Sequence, residues 1–262
     1  MESIDFYKYH GSGNDFILIE DYRGEFSSLH QGKIPFLCRP HYGIGADGLI
    51  LLQKSEIADI KMRIFNEDGS EARMCGNGLR CAGKHFGEDC SIETLAGISV
   101  IGFHGDHVRA SLPFAEMIEP SIPLPMNLEG HLIDTGTEHL VIFVDDLTSP
   151  ELPQLADLYR GHEMFAPYGV NVNYVKVESA DTLSIRTFEK GVRQETYSCG
   201  TGGAAAALAY NQTILQQPRV RILSRHREET TFAIDHFQTI WMTGPAELIF
   251  VGNFIPKKNL MH

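Results

Sequence analysis

The chain carries one short pattern twice. Met74-Cys75-Gly76-Asn77-Gly78 recurs as Ser198-Cys199-Gly200-Thr201-Gly202, and three other segments recur in the same order. Gly13-Asn14-Asp15-Phe16-Ile17-Leu18-Ile19 matches Gly136-Thr137-Glu138-His139-Leu140-Val141-Ile142. Tyr42-Gly43-Ile44-Gly45 matches Tyr168-Gly169-Val170-Asn171, and Met62-Arg63-Ile64-Phe65 matches Ile185-Arg186-Thr187-Phe188. In chain order the offsets are 123, 126, 123 and 124 residues. One such pair would carry little weight, whereas four collinear pairs describe a duplicated unit. A duplicated chain of 262 residues is expected to form two homologous lobes, each able to bury a core, at 1–118 and 119–262. Pro113, Pro120, Pro123 and Pro125 mark an expected linker between them. A pseudo-two-fold relation would turn equivalent elements of the lobes towards a shared cleft.

β-branched content and alternation predict strands at Phe16–Ile19, Leu49–Leu52, Lys61–Phe65, Ser99–Phe103 and His107–Leu112 in the first half. In the second half they fall at Leu140–Val144, Asn173–Val177, Leu183–Phe188, Arg219–Leu223 and Thr239–Met242. Gly76–Phe86 and Gly200–Tyr210 read as helices, the latter through its alanine run, and Gln154–Tyr159 begins another. The expected fold class is α+β. It comprises two pseudo-symmetric lobes, each a curved, mainly antiparallel sheet around a central helix.

Each C-G-x-G motif opens one of these helices. Glycine permits tight turns and close approach of a ligand. The first N–H groups of a helix lack internal partners, and the macrodipole is positive there, so the position suits a carboxylate. A cysteine at such a point is favoured to ionise. Two of them, aimed at one amino-acid Cα, could act as base and acid while the amides hold the carboxylate. That chemistry inverts the centre with neither pyridoxal phosphate nor a metal. Cys38, Cys81 and Cys90 lack the motif and are expected to be small buried residues.

Composition removes several other classes. A net charge of -12 disfavours nucleic acid and membrane surfaces as partners, without excluding a small zwitterion. Five cysteines with no C-x-x-C pair argue against a disulfide framework and a structural zinc site, and for reduced thiols in a cytoplasmic setting. The N-terminus lacks a secretory pattern, and no apolar run is long enough to cross a bilayer.

The motifs resemble those of the diaminopimelate epimerase family over nearly the whole length. The resemblance lies in H-G-S-G-N-D-F from His10, Y-G-I-G-A-D-G from Tyr42 and F-N-E-D-G-S-E-A-R-M-C-G-N-G-L-R-C from Phe65. It continues in N-V-N-Y from Asn171, F-E-K-G-V from Phe188, E-T-Y-S-C-G-T-G from Glu195 and G-P-A from Gly244. The resemblance implies epimerisation of LL- to meso-diaminopimelate, an amino diacid, for lysine and peptidoglycan synthesis. No cofactor is implied, and the implied assembly is a homodimer. Cys75 and Cys199 would be the acid–base pair. Gly76, Asn77, Gly200 and Thr201 would hold the reacting carboxylate, and Asn14, Asn66 and Asn171 would supply substrate amides. His139 and Glu189 would help organise the reacting centre, and Glu189 and Lys190 would contact substrate.

The chain departs from the common pattern at three places. Lys190 stands where an arginine usually grips the far carboxylate, and lysine lacks its bidentate fork. Thr137 and Glu138 stand where asparagine and proline are usual, and Gly48 replaces a frequent glutamine. A broader or glutamate-type racemase with the same cysteine pair is therefore the alternative. An isomerase of the phenazine-biosynthesis type is more distant, since that branch does not need both cysteines. From another class, a non-catalytic amino-acid-binding protein would keep the cleft without turnover.

Overall fold

The computed structural model describes residues 3–26, 31–191, 195–196, 198–225 and 227–255. The first half runs through β1 (Ile4–Gly11), β2 (Asn14–Glu20), α1 (Ile34–Cys38), β3 (Gly48–Gln53), β4 (Ile60–Asn66) and β5 (Glu71–Ala72). It continues with α2 (Gly76–Phe86), β6 (Cys90–Thr94), β7 (Gly97–His104) and β8 (His107–Ser111). The second half runs through β9 (Glu116–Leu124), β10 (Leu128–Asp134), β11 (Glu138–Phe143), α3 (Leu152–Arg160), β12 (Asn171–Ser179) and β13 (Thr182–Phe188). It ends with α4 (Gly200–Thr213), β14 (Arg219–Leu223), β15 (Glu229–Ile234), β16 (Ile240–Gly244) and β17 (Glu247–Phe254).

Two compact units result: Met1–Ala110 with Gly244–His262, and Ser111–Thr243. The boundary expected at 118/119 is thus displaced, and the C-terminal segment returns to the first unit. The cause is strand pairing, because β17 lies antiparallel to β1, with Ile4 opposite Phe254.

In the first unit β17, β1, β2, β3, β4, β6, β7 and β8 pair in that order. The β2–β3 and β4–β6 pairs are parallel and the others antiparallel. In the second unit β9 to β16 pair consecutively, with β11–β12 and β13–β14 parallel. The two orders correspond strand for strand, and β9 occupies in the second unit the place of β17 in the first.

The register refines the duplication. Phe16 faces Gly48 and Leu49 faces Phe65, while His139 faces Asn171 and Val172 faces Phe188. The offset across these strands is therefore a constant 123 residues, and Gly48, not Gly45, is the counterpart of Asn171. The three extra residues of the first half fall at Gly45-Ala46-Asp47. Core positions follow the same spacing. Ile17, Ile19, Leu49, Leu51 and Phe65 pack with Ile34 and Leu37 of α1, and Leu140, Ile142, Val172, Tyr174 and Phe188 pack with Leu152, Ala156 and Tyr159 of α3.

The opposite face of each sheet takes the long helix. α2 packs on β1, β2, β3, β4, β6, β7 and β17, and α4 on β9, β10, β11, β12, β14 and β15. Covered on both faces, the central strands read as unbroken apolar runs such as Phe16-Ile17-Leu18-Ile19, which are buried throughout. α4 is buried from Gly200 to Tyr210, which explains its alanines, since only small side chains let a helix approach strands on several sides.

The expected proline-rich linker is a correction. It is β9, in which Pro123 lies opposite Glu129 of β10 and Pro120 falls where the register shifts. Proline has no N–H for a ladder and is tolerated on a strand edge or at an irregularity. The register does shift between Gly130 and Leu132, and the Pro120 carbonyl accepts instead from His131 Nδ1 at 2.5 Å.

Candidate active site

In the first unit β4 turns through Asn66–Ser70 into β5, and the chain then reaches Cys75. The Arg63 guanidinium grips the Glu71 carboxylate through two bonds, Nε to Oε1 at 2.7 Å and Nη2 to Oε2 at 2.8 Å. It also lies over the Phe65 ring, 4.9 Å from its centroid. Cys75 has extended backbone angles and is the N-cap of α2. Its thiol donates to Asn14 Oδ1 at 3.8 Å, and Asn77 Nδ2 donates to the same oxygen at 3.3 Å. Asn14 Nδ2 in turn donates to Asp47 Oδ2 at 2.8 Å. Arg80, fully buried, donates to Asn77 Oδ1 at 2.8 Å and to Ser12 Oγ at 2.9 Å. Asn14, Cys75, Gly76 and Asn77 are thus brought together. Asn66 is exposed, and its amide donates to Ser70 Oγ at 2.9 Å within the turn.

The second unit repeats the frame. Arg186 grips Glu195 by Nε to Oε1 at 3.0 Å and Nη2 to Oε2 at 2.7 Å, and lies over the Phe188 ring. Cys199 is the N-cap of α4, and its sulfur accepts from Gly202 N at 3.4 Å. Thr201 Oγ1 lies 3.2 Å from the same sulfur. Gly202 is required here, because a Cβ would stand 2.4 Å from Asn173 Oδ1. Cys199 and Gly200 line a cavity with Ser198, Thr187, Thr230, Phe232 and Glu228.

Asn173 joins this helix start to His139. Its Nδ2 donates to His139 Nδ1 at 3.0 Å, and its Oδ1 accepts from Thr187 Oγ1 at 3.0 Å. His139 is fully buried, and burial, then the Lys190 charge, pushes its pKa down to about 3. The imidazole is therefore neutral, accepts at Nδ1 and carries its proton on Nε2, which has no partner among the described residues.

Asn171 is buried, and its amide is spent within the unit. Nδ2 donates to Thr137 Oγ1 at 3.3 Å and to Glu138 O at 3.1 Å, while Oδ1 accepts from Lys190 N at 3.0 Å. The Lys190 ammonium donates to Gly169 O at 3.4 Å, and the Glu189 carbonyl accepts from Arg160 at 2.7 Å. Gly48 is sterically fixed, since a Cβ would lie 2.5 Å from Phe65 O, which leaves no room for glutamine in this strand as it stands.

The other three cysteines are buried in the core, and burial pushes Cys38 up to about 12 and Cys90 up to about 11, with Cys81 also raised. Among the described residues no group of His, Cys, Asp and Glu is arranged to hold a metal ion. Sequence reasoning missed Asn173, Arg80, Asp47 and the two Arg–Glu clasps. The clasps left a signal: a glutamate four residues before each motif cysteine, in step with the repeated arginines.

A family model described as diaminopimelate epimerase matches residues 6–112 and 131–249, covering both cysteine motifs. The chain belongs to the diaminopimelate epimerase family. A diaminopimelate epimerase of Methanothrix thermoacetophila is 40% identical over 86% of this chain and 87% of its own. One from Chlamydia muridarum is 37% identical over 95% of this chain and 97% of its own. Among solved structures, a Bacillus anthracis protein of the phenazine-biosynthesis PhzF family superposes with a TM-score of 0.74 at 17% identity, covering 98% of this chain and all 100% of that one. A hydroxyproline epimerase from Agrobacterium vitis, with bound trans-4-hydroxy-L-proline, gives 0.72 at 15% identity, covering 97% of this chain and 91% of that one. At such identities these two structures share the fold of the diaminopimelate epimerase family.

Proposed function

We propose that the protein interconverts LL- and meso-diaminopimelate without a cofactor, serving lysine and peptidoglycan synthesis. The observation that carries the reading is the pair of half-buried cysteines, each capping the start of a helix in the same C-G-x-G frame. One sulfur removes the α-proton as thiolate and the other returns a proton as thiol. The N–H groups of Gly76 and Asn77, and of Gly200 and Thr201, take the charge that develops on the carboxylate. Glu189 and His139 organise the centre. Asn14, Asn66, Asn171 and Lys190 meet the rest of the substrate.

The engagement of Asn171 and Lys190 within their own unit favours a looser hold on the far carboxylate. Glutamate, a shorter diacid, is then a secondary substrate. α-Proton exchange in deuterated solvent across a small amino-acid panel tests both statements. Diaminopimelate is expected to exchange fastest and glutamate measurably, with Cys75→Ala and Cys199→Ala each abolishing inversion. A protein that bound these amino acids without exchange would be a binding module instead.

The reading places the enzyme in the cytoplasm, where both thiols stay reduced, and pairs two copies through β17. This strand makes its described ladder with β1 alone and keeps Leu248, Ile249, Phe250 and Val251 about half exposed on both of its faces. An apolar strand in that position is a template for a second copy.

A further inference from the structure

The two cysteines do not have equivalent surroundings, and the difference follows from charged groups. In the first unit two amides are locked end to end. Arg80 can only donate, so Asn77 must turn Oδ1 to it and Nδ2 away. Asp47 Oδ2 also accepts from Asp15 N at 3.2 Å, so Asn14 must turn Nδ2 to it and Oδ1 away. Asp15 is held beside Lys8 by an ion pair at 2.5 Å, which fixes the other end of the carboxylate pair. The outcome is an acceptor, Asn14 Oδ1, set against Cys75, whose side chain makes no cap bond to its helix. In the second unit two described neighbours of the sulfur can donate to it. Gly202 N–H points at it, and the Thr201 hydroxyl can do so. Thr137 stands where the repeat has Asn14, and Thr201 where it has Asn77, so the second unit lacks the parts for the same relay.

We propose that the free protein holds Cys75 as the thiol and Cys199 as the thiolate, with Asp47, Asn14, Asn77 and Arg80 as the positioning residues that set this asymmetry. An acceptor stabilises S–H and donors stabilise S⁻. The charged groups of the relay are Asp47, behind Asn14, and Arg80, behind Asn77. At Cys199 the carboxylate in the cavity is Glu228, and the two donors act directly on the sulfur. The inference rests on the two-cysteine reading above. In the step it implies, Cys199 S⁻ takes the α-proton, the C–H electron pair moves into the carboxylate-stabilised carbanion, and Cys75 gives its proton to that carbon. The enzyme is left with Cys199 protonated and Cys75 ionised, and solvent exchange of one proton for the other restores the resting form.

The test measures alkylation by iodoacetamide against pH, resolved by mass spectrometry at each cysteine, because the thiolate is the reactive form. It needs no turnover, so it can fail while α-proton exchange succeeds, or succeed while exchange fails. The Cys199 midpoint is expected at least about one pH unit below that of Cys75. Asp47→Asn frees the Asn14 amide to rotate and lowers the Cys75 midpoint alone. Thr201→Val raises the Cys199 midpoint, and Thr201→Ser restores it, which keeps the test decisive should the Asp47 variant not fold. Equal midpoints, or a lower one at Cys75, overturn the assignment. An unmoved Cys75 midpoint in folded Asp47→Asn overturns the relay.

Discussion

At the scale of single residues the most constrained group is His139. It is neutral inside the native protein down to a pH of about 3, whereas an unfolded histidine takes up its proton near 6.5. Between those values the unfolded chain binds the extra proton, so the stabilising contribution of the neutral ring is complete above about pH 6.5 and is lost as pH falls towards 3. Urea midpoints measured from pH 7 to pH 4 should therefore fall more steeply in the native protein than in His139→Gln. Parallel curves would show that the ring titrates alike in both states. The sequence pointed to His139 only through the family motif, because a histidine in an apolar strand looks the same whether it is functional or merely buried. Its partner Asn173 was legible as a letter of N-V-N-Y, but only the cross-strand contact between β11 and β12 gave it a role.

At the scale of elements, each cysteine is reached through a strand, an arginine–glutamate clasp and a helix start. The clasps differ in burial. Glu195 has a side chain only 8% exposed and also meets Arg225, while Glu71 is 25% exposed. Removing one partner of a buried pair leaves a charge uncompensated. Glu195→Gln is expected to cost on the order of 2–3 kcal/mol, against about 1 kcal/mol for Glu71→Gln, by chemical denaturation. Activity should fall with Glu195→Gln, since the clasp holds the segment leading to Cys199; equal losses from the two variants would contradict the burial argument. The central strands and both long helices were legible because they are apolar or alanine-rich. β1 and β10 were not, since their alternation is broken by Lys8 and His131, which are buried through specific partners, and β6 and β15 are short strands that place Thr94 and Thr230 at inward positions. β5 is two residues long and below any periodicity. β9 was hidden by its prolines, whereas β17 carries in Leu248–Val251 the same kind of apolar run that marks the central strands, and its place beside β1 is a long-range pairing that no local pattern gives.

At the scale of the whole molecule the duplication is not laid end to end, because the outer strand of the first unit comes from the far end of the chain. The exposed apolar faces of that strand give a direct prediction. Under the pairing proposed through β17, Val251→Lys should shift the sedimentation velocity from that of a dimer to that of a monomer, with the circular dichroism spectrum unchanged. A native protein that sediments as a monomer, or a variant that stays dimeric, would remove β17 from the assembly. The same strand also sets an order of events during synthesis. β1 leaves the ribosome roughly ten to fifty seconds before residues 247–254 are made, at about 5–20 residues per second. Throughout that interval the outer edge of β1 has no native partner, although the second unit can already complete its own sheet. A nascent chain of this protein is therefore open to edge-to-edge association until its last strand arrives, and fusions or truncations that delay that strand should lower the yield of soluble protein while leaving every site residue in place.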